Sequence, residues 1–406
     1  MTDRMPPQFA GSIGRTVYES TPSWPQQRHP AGPNVVVVLL DDVGFAQLGC
    51  YGSSIATPNM DALANNGIRY TNFHVTALCS PTRASLLTGR NHHQVGVGFL
   101  AAFDTGFPSY RGEITPSAAT MAELLRDAGY GTYAAGKWHL TPPPHMTPAG
   151  PFHQWPTGRG FDRYYGFLWG EDDQFVPELF YDQHRVDPPK YPGYHLSQDL
   201  VERSEAFLSD HLSARPDDPF FLYLAFGACH APHQAPREFI DAYDGVFDDG
   251  WDVERGRVLE RQRATGVVPK RTSLAPRNPG VRPWADLDPQ EQRLYARMQE
   301  VFAGFMTHTD VQIGRLVAFL SRNGVLDDTL ILLVSDHGAA VINTHLDLAD
   351  WFRRQGVPTL SHPVIWARAP RAAVMIAGNC SAMVYARPGE RRSDRQACSS
   401  DCATTI

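Results

Sequence analysis

An α/β fold, built on a doubly wound, mixed but mainly parallel sheet flanked by helices, is what three features of the sequence predict together. The first is a set of apolar runs: Val35 to Leu40, Phe220 to Phe226, and Leu330 to Val334. They do not alternate with polar residues, which suits strands buried on both faces. The second is how the runs end: in Asp41-Asp42, in Gly227-Ala228-Cys229-His230, and in Ser335-Asp336-His337-Gly338. The third is the helical periodicity between them, at Ser117 to Ala128, Gln198 to His211, and Gln290 to Asn323 with an interruption. Strands alternating with helices wind a sheet on both faces. Ligands collect outside the carboxyl ends of such strands, where this sequence puts its Asp and His residues.

Taken in order, residues 1–33 hold several Pro and Gly with no period and read as an arm. A catalytic domain is expected over 34–370, opening with the β-branched run. Residues 240–290 are charged and Pro-rich, so they read as an excursion of helices and loops. Val364-Ile365-Trp366 is a candidate strand, and 371–406 is expected to be an irregular tail because Arg387 to Ile406 lacks an apolar period.

Composition sets outer bounds. With 406 residues and 42% hydrophobic content, the chain can bury a large core without staples. Its net charge of -7 is not gathered into blocks, which argues against nucleic acid or an anionic membrane as partner. Apolar runs are short and the N-terminus is polar and Pro-rich, so a soluble chain without a Sec-type signal is expected. Six cysteines, spread thinly, favour a reducing cytoplasm. Cys398 and Cys402 have no nearby His and read as tail thiols in preference to a zinc pair.

The segment Cys79-Ser80-Pro81-Thr82-Arg83-Ala84-Ser85-Leu86-Leu87-Thr88-Gly89-Arg90 is the most informative. Pro81 suits a first helical turn, which puts Cys79 at a helix N-terminus. Free N–H groups there, with Arg83 one turn along, would seat a sulfate or phosphate. Asp41, Asp42 and Asp336 at strand ends form an oxygen-rich set that selects a hard cation. The pair alone reads equally as a helix N-cap, and the third Asp tips the balance. Lys137 and His139, two apart, share a face in an extended segment. His233, and Phe302 to Met306, read as ordinary packing residues.

These residues resemble the sulfatase family, whose signature has a Cys-x-Pro-x-Arg core, here Cys79 to Arg83. The resemblance runs over roughly residues 34–340 and includes Gly136-Lys137-Trp138-His139 and His230-Ala231-Pro232. It implies an alkaline phosphatase-like fold and an arylsulfatase activity. It further implies that Cys79 is oxidised by a formylglycine-generating enzyme to formylglycine, the nucleophile. Asp41, Asp42, Cys79, Asp336 and His337 would surround one calcium ion. By the same resemblance Lys137 binds sulfate, His139 helps eliminate the intermediate, and His230 bonds sulfate or protonates the leaving oxygen. Arg83 and Lys137 would neutralise sulfate oxygens.

Two departures from the family stand out. Thr344 to Pro363 contains no Lys where the family has a second active-site Lys, leaving only Arg353 and Arg354. The C-terminal subdomain is expected to be missing or incomplete. Competing readings are a phosphate or phosphonate monoester hydrolase of the same superfamily, and a sulfate-ester-binding homologue with impaired turnover.

Overall fold

The computed structural model describes residues 9–23, 30–278, 280–338 and, for the backbone, 382–385. Its strands and helices are β1 Asn34–Leu40, α1 Pro58–Asn66, β2 Ile68–Tyr70, α2 Cys79–Thr88, α3 Met121–Asp127, β3 Gly131–Lys137, β4 Arg163–Phe167, β5 Leu179–Tyr181, β6 His184–Val186, α4 Leu196–Ala214, β7 Phe220–Ala225, α5 Arg237–Asp241, α6 Gly250–Ala264, α7 Pro289–Arg322, β8 Thr329–Ser335 and β9 Ala382–Tyr385. The strands form one sheet in the order β2-β9-β8-β1-β7-β3-β4-β5-β6. The centre, β8-β1-β7-β3-β4, is parallel, and both flanks are antiparallel. The expected mixed, mainly parallel sheet is therefore present.

Side-chain alternation divides the core in two. Val36, Val38, Leu40, Phe220, Leu222 and Leu224 face one way, where α1, α4 and α7 cover them. Val37, Leu39, Phe221, Tyr223 and Ala225 face the other, with Ala84 and Leu87 of α2 and Ala122 of α3. Successive residues of a strand point to opposite faces, so an unbroken apolar run feeds both layers. Each fully buried aliphatic or aromatic side chain contributes about 1.5–3 kcal/mol.

Helix bounds differ from the periodicity. The pattern at Ser117 to Ala128 shrinks to α3, because Thr120 accepts from the Glu123 amide while the Glu123 side chain accepts from the Thr120 amide. The interruption expected after Gln290 is absent, and α7 runs unbroken for 34 residues. Gly304 within it lies against the backbone of Phe239 and Ile240, where a Cβ would come within 2.8 Å.

The expectation of an irregular tail over 371–406 needs correction. Ala382–Tyr385 is a strand, paired antiparallel with β8 on one side and β2 on the other. A short apolar segment is enough when an open ladder offers it hydrogen bonds. Val364-Ile365-Trp366, Cys380, Cys398 and Cys402 lie outside the described residues. Among the described residues no helix is long and apolar enough to cross a membrane.

Candidate active site

The carboxyl ends of all five parallel strands open onto one place. Lys137 closes β3, Asp41 follows β1, and Asp336 follows β8. Gly170 and Glu171 lie just past β4, and His230 lies past β7. The ladder continues beyond the strands and fixes the acids: Asp336 N donates to Leu40 O at 3.0 Å, Asp41 N to Ala228 O at 2.9 Å, and Cys229 N to Asp41 O at 2.6 Å. Asp42 then turns away with φ 58°, a left-handed conformation that Asp tolerates better than most residues.

Ligand atoms of Asp41, Asp42, Asp336 and His337 lie within 4.8 Å of one another, and Cys79 groups with Asp336 and His337 in the same way. One oxygen of each acid, Asp41 Oδ1, Asp42 Oδ1 and Asp336 Oδ1, is buried with no hydrogen-bond partner. His337 Nε2 is 2.9 Å from Asp42 Oδ1, an ion-pair distance when the imidazole is charged. Buried carboxylate oxygens crowded this closely are costly, and three together with an imidazole fit a hard divalent cation. His337 Nδ1 meets the Gly338 carbonyl at 2.7 Å, which leaves Nε2 toward the acids.

Charge around these acids is tightly matched. Arg83 is wholly buried and donates from Nε and Nη2 to Asp336 Oδ2 at 3.1 and 2.9 Å, and from Nη1 to the Lys137 carbonyl at 2.8 Å. Lys137 Nζ reaches Asp41 Oδ2 at 2.5 Å. Burial pushes the Asp41 carboxyl up to about 8, and the neighbouring Asp336 adds to it. Burial opposes ionisation of Asp336 as well, but His337, Arg83 and Lys137 hold it well below the usual carboxylate range. Burial also disfavours a charged His337, yet Asp336 and Asp42 push its imidazole up to about 12. A divalent cation would displace that proton, as metal binding to imidazole does generally.

Cys79 is the first residue of α2, with Leu78 as N-cap, so the positive end of the helix dipole faces it. Its Sγ is 3.1 Å from His139 Nδ1. Burial would raise the thiol, but His139 and Lys137 hold it well below its ordinary value. Burial lowers His139. The expectation that Lys137 and His139 share one face of a strand is wrong in detail. β3 stops at Lys137, and His139 adopts φ 52°. The turn, not the pleat, brings both beside Cys79. Arg83 also departs from expectation: its donors are committed to Asp336 and a carbonyl, so it is a positioning residue behind the acids rather than an open clamp.

His230 stands at the rim, its Nε2 3.7 Å from Asp42 Oδ2 and its Nδ1 2.7 Å from the Ala231 carbonyl. Burial works against its charge, while Asp42 and Asp41 raise it.

Several supporting residues escaped the reading of the sequence. Ser80 Oγ donates to His139 O at 2.8 Å and accepts from Ala101 N at 3.1 Å. Gly170 lies flat against the His139 ring, where a Cβ would be 2.7 Å from Cε1. Glu171 Oε2 is 3.5 Å from His230 Nδ1. A signal for the last two existed: Tyr164 to Trp169 is another apolar run that ends in Gly170-Glu171-Asp172-Asp173. His233 is exposed and packs edge-on against Phe302, an ordinary packing contact. Arg353, Arg354 and the stretch Thr344 to Pro363 lie outside the described residues.

A family model described as Sulfatase matches residues 33–365. The chain is 33% identical over 321 residues to an arylsulfatase of Klebsiella aerogenes, covering 76% of this chain and 66% of that protein. It is 34% identical over 338 residues to an uncharacterized sulfatase of Schizosaccharomyces pombe, covering 77% of this chain and 59% of that one. The chain thus spans less than two thirds of either relative's length. Among solved structures, the phosphonate monoester hydrolase of Agrobacterium radiobacter shares the fold, with a TM-score of 0.53 and 20% identity over 87% of this chain and 68% of that one.

Proposed function

The chain belongs to the sulfatase family, and from that premise we propose that it hydrolyses sulfate esters of phenols or alcohols at Cys79. The observation that carries this reading is the convergence of Cys79, at the start of α2, with His139 at 3.1 Å, Lys137 and three carboxylates whose free oxygens are buried. A formylglycine made from Cys79 by a generating enzyme would supply the nucleophile, and a calcium-class ion on Asp41, Asp42, Asp336 and His337 would draw charge from sulfate oxygens.

The chain's own residues have separable tasks. Lys137, held on Asp41 and charged because Asp41 and Cys79 outweigh its burial, places a cation beside residue 79. His139, kept neutral by burial, is a base at the same atom. His230, whose imidazole Asp42 and Asp41 raise against its burial, is the acid for a leaving oxygen. Arg83 holds Asp336 and the Lys137 carbonyl, so it orients rather than reacts. Net reaction consumes one water, breaks the ester linkage at sulfur, and releases alcohol and sulfate.

The test is to make the full chain together with a formylglycine-generating enzyme and follow aryl sulfate hydrolysis beside aryl phosphate and phosphonate. Wild type should favour the sulfate, and Cys79→Ser should lose turnover while keeping its fold. A faster phosphonate would transfer the activity to the phosphonate hydrolase reading. Saturable binding of the sulfate ester without release of product would instead make the chain a binding homologue.

A further inference from the structure

A second cluster of metal-ligating side chains lies away from the buried acids. Ligand atoms of Glu113, His145 and His153 are within 4.8 Å of one another. His153 Nε2 is 3.7 Å from Glu113 Oε2, and the two imidazole rings lie 5.3 Å apart. His145 Nδ1 is buried and has no hydrogen-bond partner. We propose that these three residues bind a divalent cation of the zinc class, with the fourth position open to water.

The donor set decides the class of ion. Two imidazoles and one carboxylate suit zinc, cobalt or nickel, whereas calcium needs six or more oxygens. Tetrahedral ligands about 2.0–2.1 Å from zinc sit about 3.4 Å from one another, so the His153–Glu113 pair is already close to that spacing. The remaining separations close by rotation of His153 and Glu113, both partly exposed. The acids beside Cys79 are a different environment, oxygen-rich and fully buried.

The scaffold beneath the cluster is rigid. Buried Gln154, next to His153, donates from Nε2 to the carbonyl of Ile114, which is next to Glu113, at 2.9 Å. The Gln154 carbonyl accepts from Trp138 Nε1 at 2.8 Å and Thr141 Oγ1 at 3.0 Å. Trp155 Nε1 donates to the His145 carbonyl at 2.8 Å. Backbone positions of all three ligands are therefore set without metal, which lowers the ordering cost of binding it. Trp138 and Thr141 flank His139, so a cation here would brace the segment that leaves the active site.

The experiment uses the full chain, stripped of metal and then saturated with calcium to fill the buried acids. Zinc is titrated in competition with a chromophoric chelator, and cobalt is added in parallel as a spectroscopic probe. Wild type should take up a zinc equivalent that His145→Ala and His153→Ala lose, and E113Q should bind at least about tenfold more weakly, the smallest penalty expected even for an outer partner. Zinc should raise the melting temperature of wild type and not that of the His variants. If His145→Ala does not fold, the exposed His153→Ala and E113Q decide alone. Zinc uptake unchanged in the variants overturns the site, and so do cobalt bands of thiolate character, which would place the ion on cysteines.

Discussion

Asp42 shows at the scale of a single residue how this site is held together. Its backbone turns left-handed immediately after β1, and one of its buried oxygens stays without a hydrogen bond. Strained backbone costs about 1–3 kcal/mol and persists where the surroundings over-determine it. If a calcium-class ion is the missing partner, calcium should raise the melting temperature and a chelator should reverse the shift. The isosteric Asp42→Asn should fold and lose most of that response, because it removes a charge without removing volume. A calcium shift of equal size in the variant would count against the assignment. Gly170 offers a second test at this scale. Gly170→Ala puts a methyl group into the space of the His139 ring, where its carbon would lie 2.7 Å from Cε1. The imidazole must move, and displacement of a reacting group by about 1 Å costs about 10²-fold in rate. Circular dichroism should be unchanged while kcat falls. An unaltered kcat would mean that His139 is not where the chemistry needs it.

At the scale of elements, α1 is capped by a residue from another helix. Thr57, its N-cap, makes no side-chain cap bond. Asp310 of α7 takes that place: its Oδ1 accepts from Met60 N at 2.8 Å, and its Oδ2 from Asn59 N at 3.1 Å and Asn59 Nδ2 at 2.7 Å. Asp310→Ala should therefore strand buried donors at the start of α1 and cost about 2–3 kcal/mol, more than an ordinary cap. A urea midpoint within error of wild type would refute the cap. Nothing near Pro58 in sequence points to Asp310, about 250 residues away, and this is where sequence reading stops. Runs such as Val35 to Leu40 are legible because burial on both faces demands unbroken apolar residues, and the acids are legible because they end those runs. The short flanking strands β2, β5 and β6 have three residues each and no period to read. Likewise, the site residues at strand ends could be gathered from the sequence, but the commitment of Arg83 to Asp336 could not, since only the packing of α2 aims that side chain.

For the whole molecule, an acid liability lies outside the site. His195 and His308 pack against each other, ring centroids 4.2 Å apart and planes tilted by 60°, where the start of α4 meets α7. Burial pushes His195 down to about 4 and His308 down to about 3. The geometry agrees for His195: Nδ1 accepts from Ser197 N as the cap of α4, so protonation there would abolish the cap, while Nε2 faces the Gln234 carbonyl at 3.2 Å. Asp173 favours the charged form of His195, and Arg315 opposes that of His308. In the unfolded chain both titrate at the ordinary 6.5. Below that pH the unfolded state binds more protons than the folded one, so stability is lost as pH falls from about 6.5 toward 4, and on to 3 for His308. At about 1.4 kcal/mol per pH unit for each group, the loss between pH 7 and pH 5 reaches about 4 kcal/mol, a large part of a typical domain's stability. Asp172 titrates in the same range with the opposite sign, since burial pushes it up to about 7 and protonation then favours the fold. The difference between wild type and a variant isolates the histidines. His195→Asn keeps a capping side chain that cannot titrate, and His308→Gln removes the second group. Urea midpoints of the double variant should depend on pH between 7 and 5 much less steeply than those of wild type. Parallel slopes would show that the acid sensitivity arises elsewhere.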